Sequence, residues 1–145
     1  MFWIEGTSRA GLGAATKNLG VQLPMISAEF PEVASCRHGT VNLLLDCPLL
    51  VLAPDHRTRQ IPWDPSFGDG EVFDLLRIHF EAPTGTAPVL AWLYIPHGSP
   101  HRKDPRCHEV LAPNVQLSTG ARCRVGISRN AVQLPYQTWP VIMVV

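Results

Sequence analysis

Short apolar stretches of strand length alternate with prolines and glycines along this chain. The 14 prolines and 11 glycines leave little room for long helices and favour many short strands. Within Glu71–Phe80, the residues from Leu76 onward alternate apolar and polar, which predicts a strand with one solvated face. Seven segments have the β-branched, aromatic or aliphatic content of strands: Phe2–Glu5, Thr40–Leu45, Leu49–Ala53, Glu71–Phe80, Val89–Ile95, Cys123–Ser128 and Pro140–Val145.

One stretch has helical periodicity. Met25, Ile26 and Phe30 recur at helical spacing between Pro24 and Val33, and Pro31 is expected to end this helix. The segment from Asp55 to Gly70, rich in Pro, Asp and Arg, is expected to be a surface excursion. Many short strands with one short helix predict a mostly β fold, a small closed barrel.

Length and composition indicate a folded, single-domain protein. The chain has 145 residues, of which 46% are hydrophobic and 17% charged. Its 12 basic and 12 acidic side chains cancel, so there is no basic excess for nucleic acid. The longest apolar runs, such as Leu49–Ala53, are far shorter than the roughly 20 residues that span a bilayer. Nothing resembles a signal peptide, since Glu5 and Arg9 interrupt the apolar start. We therefore expect a soluble, cytoplasmic protein with neither nucleic acid nor membrane as partner.

The cysteines and histidines offer little metal chemistry. Four scattered cysteines, at 36, 47, 107 and 123, do not form a disulfide framework, so reduced thiols are expected. A zinc-compatible set, His97, His101, Cys107 and His108, crowds one segment, but it has no C-x-x-C spacing. Prolines at 100 and 105 mark a loop there. A solvated polar loop without a tetrahedral metal centre is the favoured interpretation.

The segment Gly39–Asn42 carries the sharpest chemical hypothesis. Thr40 and Asn42 are two residues apart on an extended segment, so their side chains should share a face. Two neutral oxygen ligands suit Mg²⁺ that is already held by phosphate oxygens. The alternative is that Thr40 begins a strand and Asn42 bonds to a neighbouring loop.

Several motifs, in order, resemble one family. Ile4–Gly6, Gly11–Gly13 and Gly39–Asn42 with the following Leu-x-Leu-Asp are similar to the I-E-G, G-L-G and G-T-L-N-x-x-L-D series of the archaeal CTP-dependent riboflavin kinases. Ile95–Pro96 and Glu109–Pro113 resemble the same family's V-P and E-I-I-A-P elements. The resemblance spans residues 4–128, and it leaves an apolar C-terminal extension over 131–145.

This resemblance implies a fold, a reaction and a set of site residues. The implied fold is a cradle-loop barrel, and the implied reaction is Mg²⁺-assisted phosphoryl transfer from CTP to riboflavin, which gives FMN. Thr40 and Asn42 would hold the metal, and Glu109 would contact the acceptor as the catalytic carboxylate, or would be a surface glutamate flanking a strand. The remaining implied contacts are to the nucleotide, by Gly11, Gly13, Lys17 and Gly39, and to the substrate, by Ser99.

The chain also departs from the family pattern. After G-x-G the family has Glu-Gly and an aromatic residue, whereas this chain has Ala14-Ala15-Thr16-Lys17-Asn18. The lost glycine makes the loop less permissive. Three hypotheses therefore remain open: a small-molecule kinase, a non-catalytic barrel that binds a nucleotide or flavin, and an interaction module. In the third, the apolar segment after Ala131 adds a strand or forms a homo-oligomeric interface.

Overall fold

The computed structural model describes residues 1–10, 14–98, 104–115 and 117–134, with residues 14–17 described by their backbone alone. The fold is mostly β. One α-helix, α1 (Ala14–Glu29), and short 3-10 turns accompany the strands. The strands are β1 (Phe2–Arg9), β2 (Val41–Leu45), β3 (Leu50–Val51), β4 (His56–Arg57), β5 (Phe73–Glu81), β6 (Val89–Pro96), β7 (Cys107–Leu111), β8 (Arg122–Ile127) and β9 (Val132–Gln133).

Six of these strands form a closed antiparallel barrel, which confirms the predicted fold class. Their order is β5-β6-β7-β2-β1-β8, and β8 pairs back onto β5. The closing register places Phe80 opposite Val125. β4 extends β5 beyond the closure, and β3 with β9 forms a separate ribbon. Closure pairs the two outermost strands with each other, which removes exposed sheet edges.

The barrel interior is filled by alternate residues of its strands. Side chains on a strand point to opposite faces in turn, so every second residue faces inward. The inward residues are apolar, and most are fully buried: Ile4, Leu43, Leu45, Leu76, Ile78, Phe80, Ala91, Leu93, Val110, Cys123, Val125 and Ile127. This packed interior stabilises the register of all six strands, because a slip of any strand by one residue would turn its apolar side chains outward.

A second apolar cluster lies outside the barrel, beneath α1. Leu19, Leu23 and Ile26 recur at helical spacing and are fully or almost fully buried. They belong to one cluster with outward residues of β5, β6 and β7, among them Leu75 and Leu111. Burial of each such leucine contributes about 1.5–3 kcal/mol. The helix therefore covers the outer face of β5, β6 and β7, whereas Trp3, Glu5 and Arg9 on the outer face of β1 are exposed.

The predicted start of the helix was wrong, whereas the prediction that Pro31 ends it is confirmed. The helix begins at Ala14, ten residues before Pro24, because Ala14 and Ala15 are strong helix formers and the apolar spacing already begins at Leu19. Pro24 lies on the exposed side, where the carbonyl that loses its partner can bond to water. The helix ends at Glu29 because Phe30 precedes Pro31 and has left the helical conformation, with φ −133° and ψ 81°. Residues 31–33 form a 3-10 turn.

Other predicted segments need smaller corrections. Strand β7 was not among the predicted strands, although it is one of the six strands of the barrel. The Asp55–Gly70 segment is not purely a surface excursion, because it contains β4 and its Ile61 is fully buried. Ile61 also bridges to Glu71, just before β5. The predicted strand over 140–145 lies outside the described residues.

Candidate functional site

Thr40, Asn42 and Glu109 come together on the outer face of the barrel. In the antiparallel pairing of β2 with β7, Asn42 lies directly opposite Glu109. The Thr40 hydroxyl, one residue before β2 begins, donates a hydrogen bond of 2.9 Å to Oε1 of Glu109. Directly opposed strand residues have Cβ atoms about 5 Å apart. Three of the residues singled out in the sequence therefore form one compact polar cluster.

Strand alternation places this cluster on the outside. Leu43 and Val110 point into the barrel core, so their strand neighbours Asn42 and Glu109 point away from it. Thr40, Asn42 and Glu109 are all half-buried. Their polar atoms are thus within reach of a ligand on the surface while the strands below hold the backbone in place.

The same cross-strand row continues to a buried tyrosine. Tyr94 on β6 lies opposite Glu109, and its hydroxyl donates to the side-chain oxygen of Gln22 on α1. Burial raises the pKa of the Tyr94 phenol well above its usual value, and the negative charges of Glu109 and Glu71 raise it further. Tyr94 therefore stays protonated and joins the helix to the sheet at the margin of the cluster.

In the other direction the row reaches a positive charge. Arg9, the last residue of β1, lies opposite Asn42 and is exposed. Its guanidinium Nη1 lies 3.9 Å from Sγ of Cys107, on the same side of β7 as Glu109. The cluster thus has a cationic group on one flank and a buried phenol on the other.

The remaining predicted residues are only partly placed. Gly39 lies half-buried in the bend just before Thr40. Lys17 is in the first turns of α1, in a stretch described by its backbone alone, so it belongs to a helix and not to the loop that the sequence suggested. Gly11, Gly13 and Ser99 lie outside the described residues.

The cluster fits a magnesium ion carried by phosphate. Because the Thr40 hydroxyl donates its hydrogen to Glu109, the lone pairs of its oxygen remain available to a cation. The Asn42 carboxamide offers a second neutral oxygen on the same face, as Mg²⁺ with several retained waters requires. Within the described ranges, no group of three or more His, Cys, Asp or Glu side chains is arranged to hold a metal ion by itself.

The histidine-rich segment is not simply a solvated loop. Nε2 of His97 lies 2.9 Å from Oδ2 of Asp74, a carboxylate whose side chain is only 7% exposed. His108 bonds to the Pro105 carbonyl at 2.8 Å. Burial lowers the pKa of the His108 imidazole, so it is neutral near pH 7. The prediction that these side chains are solvent-accessible is confirmed for His97, which is exposed, whereas His108 is only half-exposed because it is held against the Pro105 carbonyl. His101 lies outside the described residues.

Asp74 gives a pH-dependent prediction of stability. Its burial would raise its pKa, but hydrogen bonds from Arg57, at 2.7 and 3.0 Å, and from His97 outweigh burial and lower it. In the unfolded chain, the Asp74 carboxyl takes up a proton as the pH falls below about 4, whereas in the folded protein it stays ionised to a lower pH. The stabilisation that its hydrogen bonds give above about pH 4 is therefore lost as the pH falls through the folded-state pKa. Urea titrations should show Asp74→Asn less stable than wild type by about 1–3 kcal/mol at pH 7. That difference should shrink below pH 4. A difference that does not change between pH 7 and pH 2.5 would rule out this linkage.

Three contributors to the cluster were not singled out from the sequence. Tyr94 is one aromatic residue in an apolar strand, and Gln22 is 2% exposed on the buried side of α1. A polar residue in register with Leu19, Leu23 and Ile26 was an available signal, since a buried amide requires a partner. Arg9 gave no such signal, because only the β1–β2 register brings it to Asn42.

Comparisons with known proteins leave the family open. No protein-family model matches the chain, and no curated protein matches it either. Among the described residues, no helix has both the length and the apolar character needed to cross a membrane.

Proposed function

We propose that this protein is a small-molecule phosphotransferase of the CTP-dependent riboflavin kinase type, which transfers a phosphoryl group from a nucleoside triphosphate to riboflavin with Mg²⁺. The observation that carries the proposal is the convergence of Thr40, Asn42 and Glu109 on one exposed face. These are the residues on which the resemblance places the metal and acceptor contacts. Thr40 and Glu109 are 69 positions apart in sequence, so their contact is not a consequence of local spacing.

In this proposal Thr40 and Asn42 hold the metal, and Glu109 orients Thr40. A carboxylate that accepts the ligand's hydrogen fixes the direction of the ligand's lone pairs, as outer-shell partners do in metal sites. Bound Mg²⁺ would neutralise charge on the transferring phosphates. Glu109 in this position orients the Thr40 hydroxyl. We propose in addition that Glu109 contacts the acceptor.

Positive groups around the cluster suit an anionic ligand. Arg9 flanks Asn42 across the strand pair. The N-terminal end of α1 begins at Ala14, five residues after Arg9, so its Cα lies within about 18 Å of that of Arg9. Free amides at a helix N-terminus favour phosphate. We propose that Arg9 and Lys17 contact the phosphates, with Gly11, Gly13 and Gly39 giving close backbone approach.

The reaction requires little covalent help from the protein. The acceptor's primary hydroxyl oxygen forms a bond to the γ-phosphorus, and the bond from that phosphorus to the β–γ bridging oxygen breaks. The nucleoside diphosphate leaves with the electron pair, and the hydroxyl proton passes to a nearby base or to water. Positioning and charge neutralisation supply most of the acceleration. A polar surface cluster held on two rigid strands is suited to both tasks.

A non-catalytic barrel that binds the same ligands is the second candidate. One observation favours it: residues 14 and 15, where the family has glutamate and glycine, are alanines within α1. A helix at this point has less freedom than a glycine loop to wrap phosphates. In this case the cluster would bind a nucleotide or flavin without transfer.

A riboflavin phosphorylation assay distinguishes these candidates. Purified protein is incubated with riboflavin and either CTP or ATP, with and without Mg²⁺, and FMN is separated by chromatography. The kinase proposal predicts FMN formation that requires Mg²⁺ and is faster with CTP. Riboflavin or nucleotide binding without FMN supports the non-catalytic barrel. If neither ligand binds, both proposals fail and an interaction module remains.

We also propose that the protein works in the cytoplasm. Cys36, Cys47, Cys107 and Cys123 are all free thiols. Burial raises the pKa of the Cys36 and Cys123 thiols to about 11, which keeps both unreactive. Reduced cysteines in this state agree with a reducing compartment.

A further inference from the structure

Glu71 is a buried carboxylate that joins two separate segments. Only 4% of it is exposed. Its Oε1 accepts a 2.9 Å hydrogen bond from the indole N–H of Trp63, and its Oε2 accepts a 2.7 Å bond from the backbone N–H of Gly98. Both of these donors are neutral. A buried charge with neutral donors is costly to maintain, so these two bonds must be well formed in the folded protein.

The contact at Gly98 is unusually close. A Cβ atom at this position would lie 2.5 Å from Cε1 of Phe67 and 2.8 Å from Oε2 of Glu71. Phe67 in turn contacts Trp63, with ring centroids 5.3 Å apart. Glu71, Trp63, Phe67 and Gly98 therefore form one bracket, which we call the Glu71 bracket. It fixes the backbone of the residue immediately before Ser99.

The Glu71 bracket is connected to the candidate site through a stacked aromatic pair. Phe73 and Tyr94 belong to the apolar cluster on the outer face of the barrel, and their rings are stacked with centroids 5.6 Å apart. Glu71 precedes Phe73 by two residues, and Tyr94 lies opposite Glu109 in the pairing of β6 with β7. The Phe73–Tyr94 pair therefore lies between the bracket and the Glu109 side of the cluster.

We propose that Glu71 is a positioning residue for the acceptor in the phosphotransfer proposed above, acting through the Trp63 indole and the Gly98 amide. The inference rests on that proposed function. Half-buried Trp63 and Phe67 give the bracket a planar apolar surface, which suits an acceptor with a flat ring system. Glu71 itself touches no reacting atom. It holds the groups that form this surface.

The test compares Glu71→Gln with Glu81→Gln. Glu81 is the control because it is also a buried carboxylate, 8% exposed at the end of β5, where it accepts a 2.7 Å bond from the backbone N–H of Gly85 and lies 3.5 Å from the Arg124 guanidinium. In Glu71→Gln the amide NH₂ must face either the Trp63 indole N–H or the Gly98 N–H. Because both groups are then donors, that hydrogen bond is lost. We expect riboflavin affinity, measured by fluorescence quenching without nucleotide, to fall about 10- to 100-fold in Glu71→Gln. It should stay at the wild-type value in Glu81→Gln.

A milder variant keeps the test decisive. Trp63→Phe removes the indole N–H and retains an aromatic ring, so it probes the bracket even where Glu71→Gln does not fold. It should weaken riboflavin binding and speed amide exchange at Gly98, with Mg²⁺-dependent CTP affinity unchanged. Equal effects of the Glu71 and Glu81 variants, or riboflavin binding that Trp63→Phe does not alter, overturn the inference. Riboflavin binding without phosphorylation contradicts only the proposed kinase activity. A wild-type protein that binds no riboflavin overturns both.

Discussion

Asn42→Ala is expected to weaken Mg²⁺-dependent nucleotide binding by roughly 100-fold or more, because it removes one of the two proposed protein ligands. Asn42 points away from the barrel core and is half-buried, so the free energy of unfolding should change by only about 0.5 kcal/mol. Calorimetric titration with CTP, with and without Mg²⁺, measures the first effect. Urea denaturation measures the second.

Two further variants make the Asn42 result specific. Thr40→Val keeps the side-chain shape but removes both the proposed ligand oxygen and the donor to Glu109, so it should also lose Mg²⁺-dependent binding. Thr7→Val is its control, because Thr7 is likewise half-buried on an outer barrel face but contacts Arg122. If Asn42→Ala unfolds, or binds nucleotide as wild type does, Asn42 is structural and the metal proposal is wrong.

The barrel could be predicted because its signals are local. Apolar segments bounded by proline and glycine identified five of the six barrel strands, with β7 missed, and alternation identified the inward residues of β5. Closure itself depends on register. The pairing of Phe80 with Val125 joins residues 45 positions apart, and no sequence pattern of either strand specifies that partner.

The helix shows where local signals conflict. The sequence predicts a helix only from Pro24 onward, on the helical spacing of Met25, Ile26 and Phe30. Here the apolar positions Leu19, Leu23 and Ile26 pack against the barrel, and this burial outweighs the cost of about 3 kcal/mol for an internal proline. Tertiary packing that is not visible in the sequence therefore decided the helix boundary.

For the candidate site, the sequence predicted the residue types better than their partners. Strand alternation correctly placed Thr40 and Asn42 on the face that Glu109 shares. Tyr94, Gln22 and Arg9 join this cluster only through the β6–β7 and β1–β2 registers and the docking of α1. The Glu71 bracket similarly requires contacts between segments 27 residues apart, from Glu71 to Gly98.

Deleting the chain from Ala131 onward is expected to cause the largest loss of stability. Ala131 and Val132 are each 8% exposed and belong to the barrel core cluster. The Ala131 carbonyl accepts bonds of 2.8 and 3.0 Å from the N–H groups of Leu52 and Ala53, and β9 pairs with β3. Loss of these contacts should lower the free energy of unfolding by about 3–5 kcal/mol. This is a large part of a typical domain's stability of about 5–15 kcal/mol.

A second truncation, after Leu134, separates this effect from the role of the apolar tail. It retains β9 and removes only residues 135–145, which lie outside the described part of the chain. The six described barrel strands close without that segment, and the expectation that the chain after Ala131 adds a strand is met in the described part by β9, which pairs with β3. The interface hypothesis remains a prediction: the apolar run Val141–Val145 would favour association if it were left exposed. Sedimentation should then show an oligomer for the full chain and a monomer for the shorter truncation, with similar melting of the remaining domain. Identical sedimentation of the two proteins would eliminate the interface, and equal stability of the Ala131 truncation and the full chain would eliminate the structural role of β9.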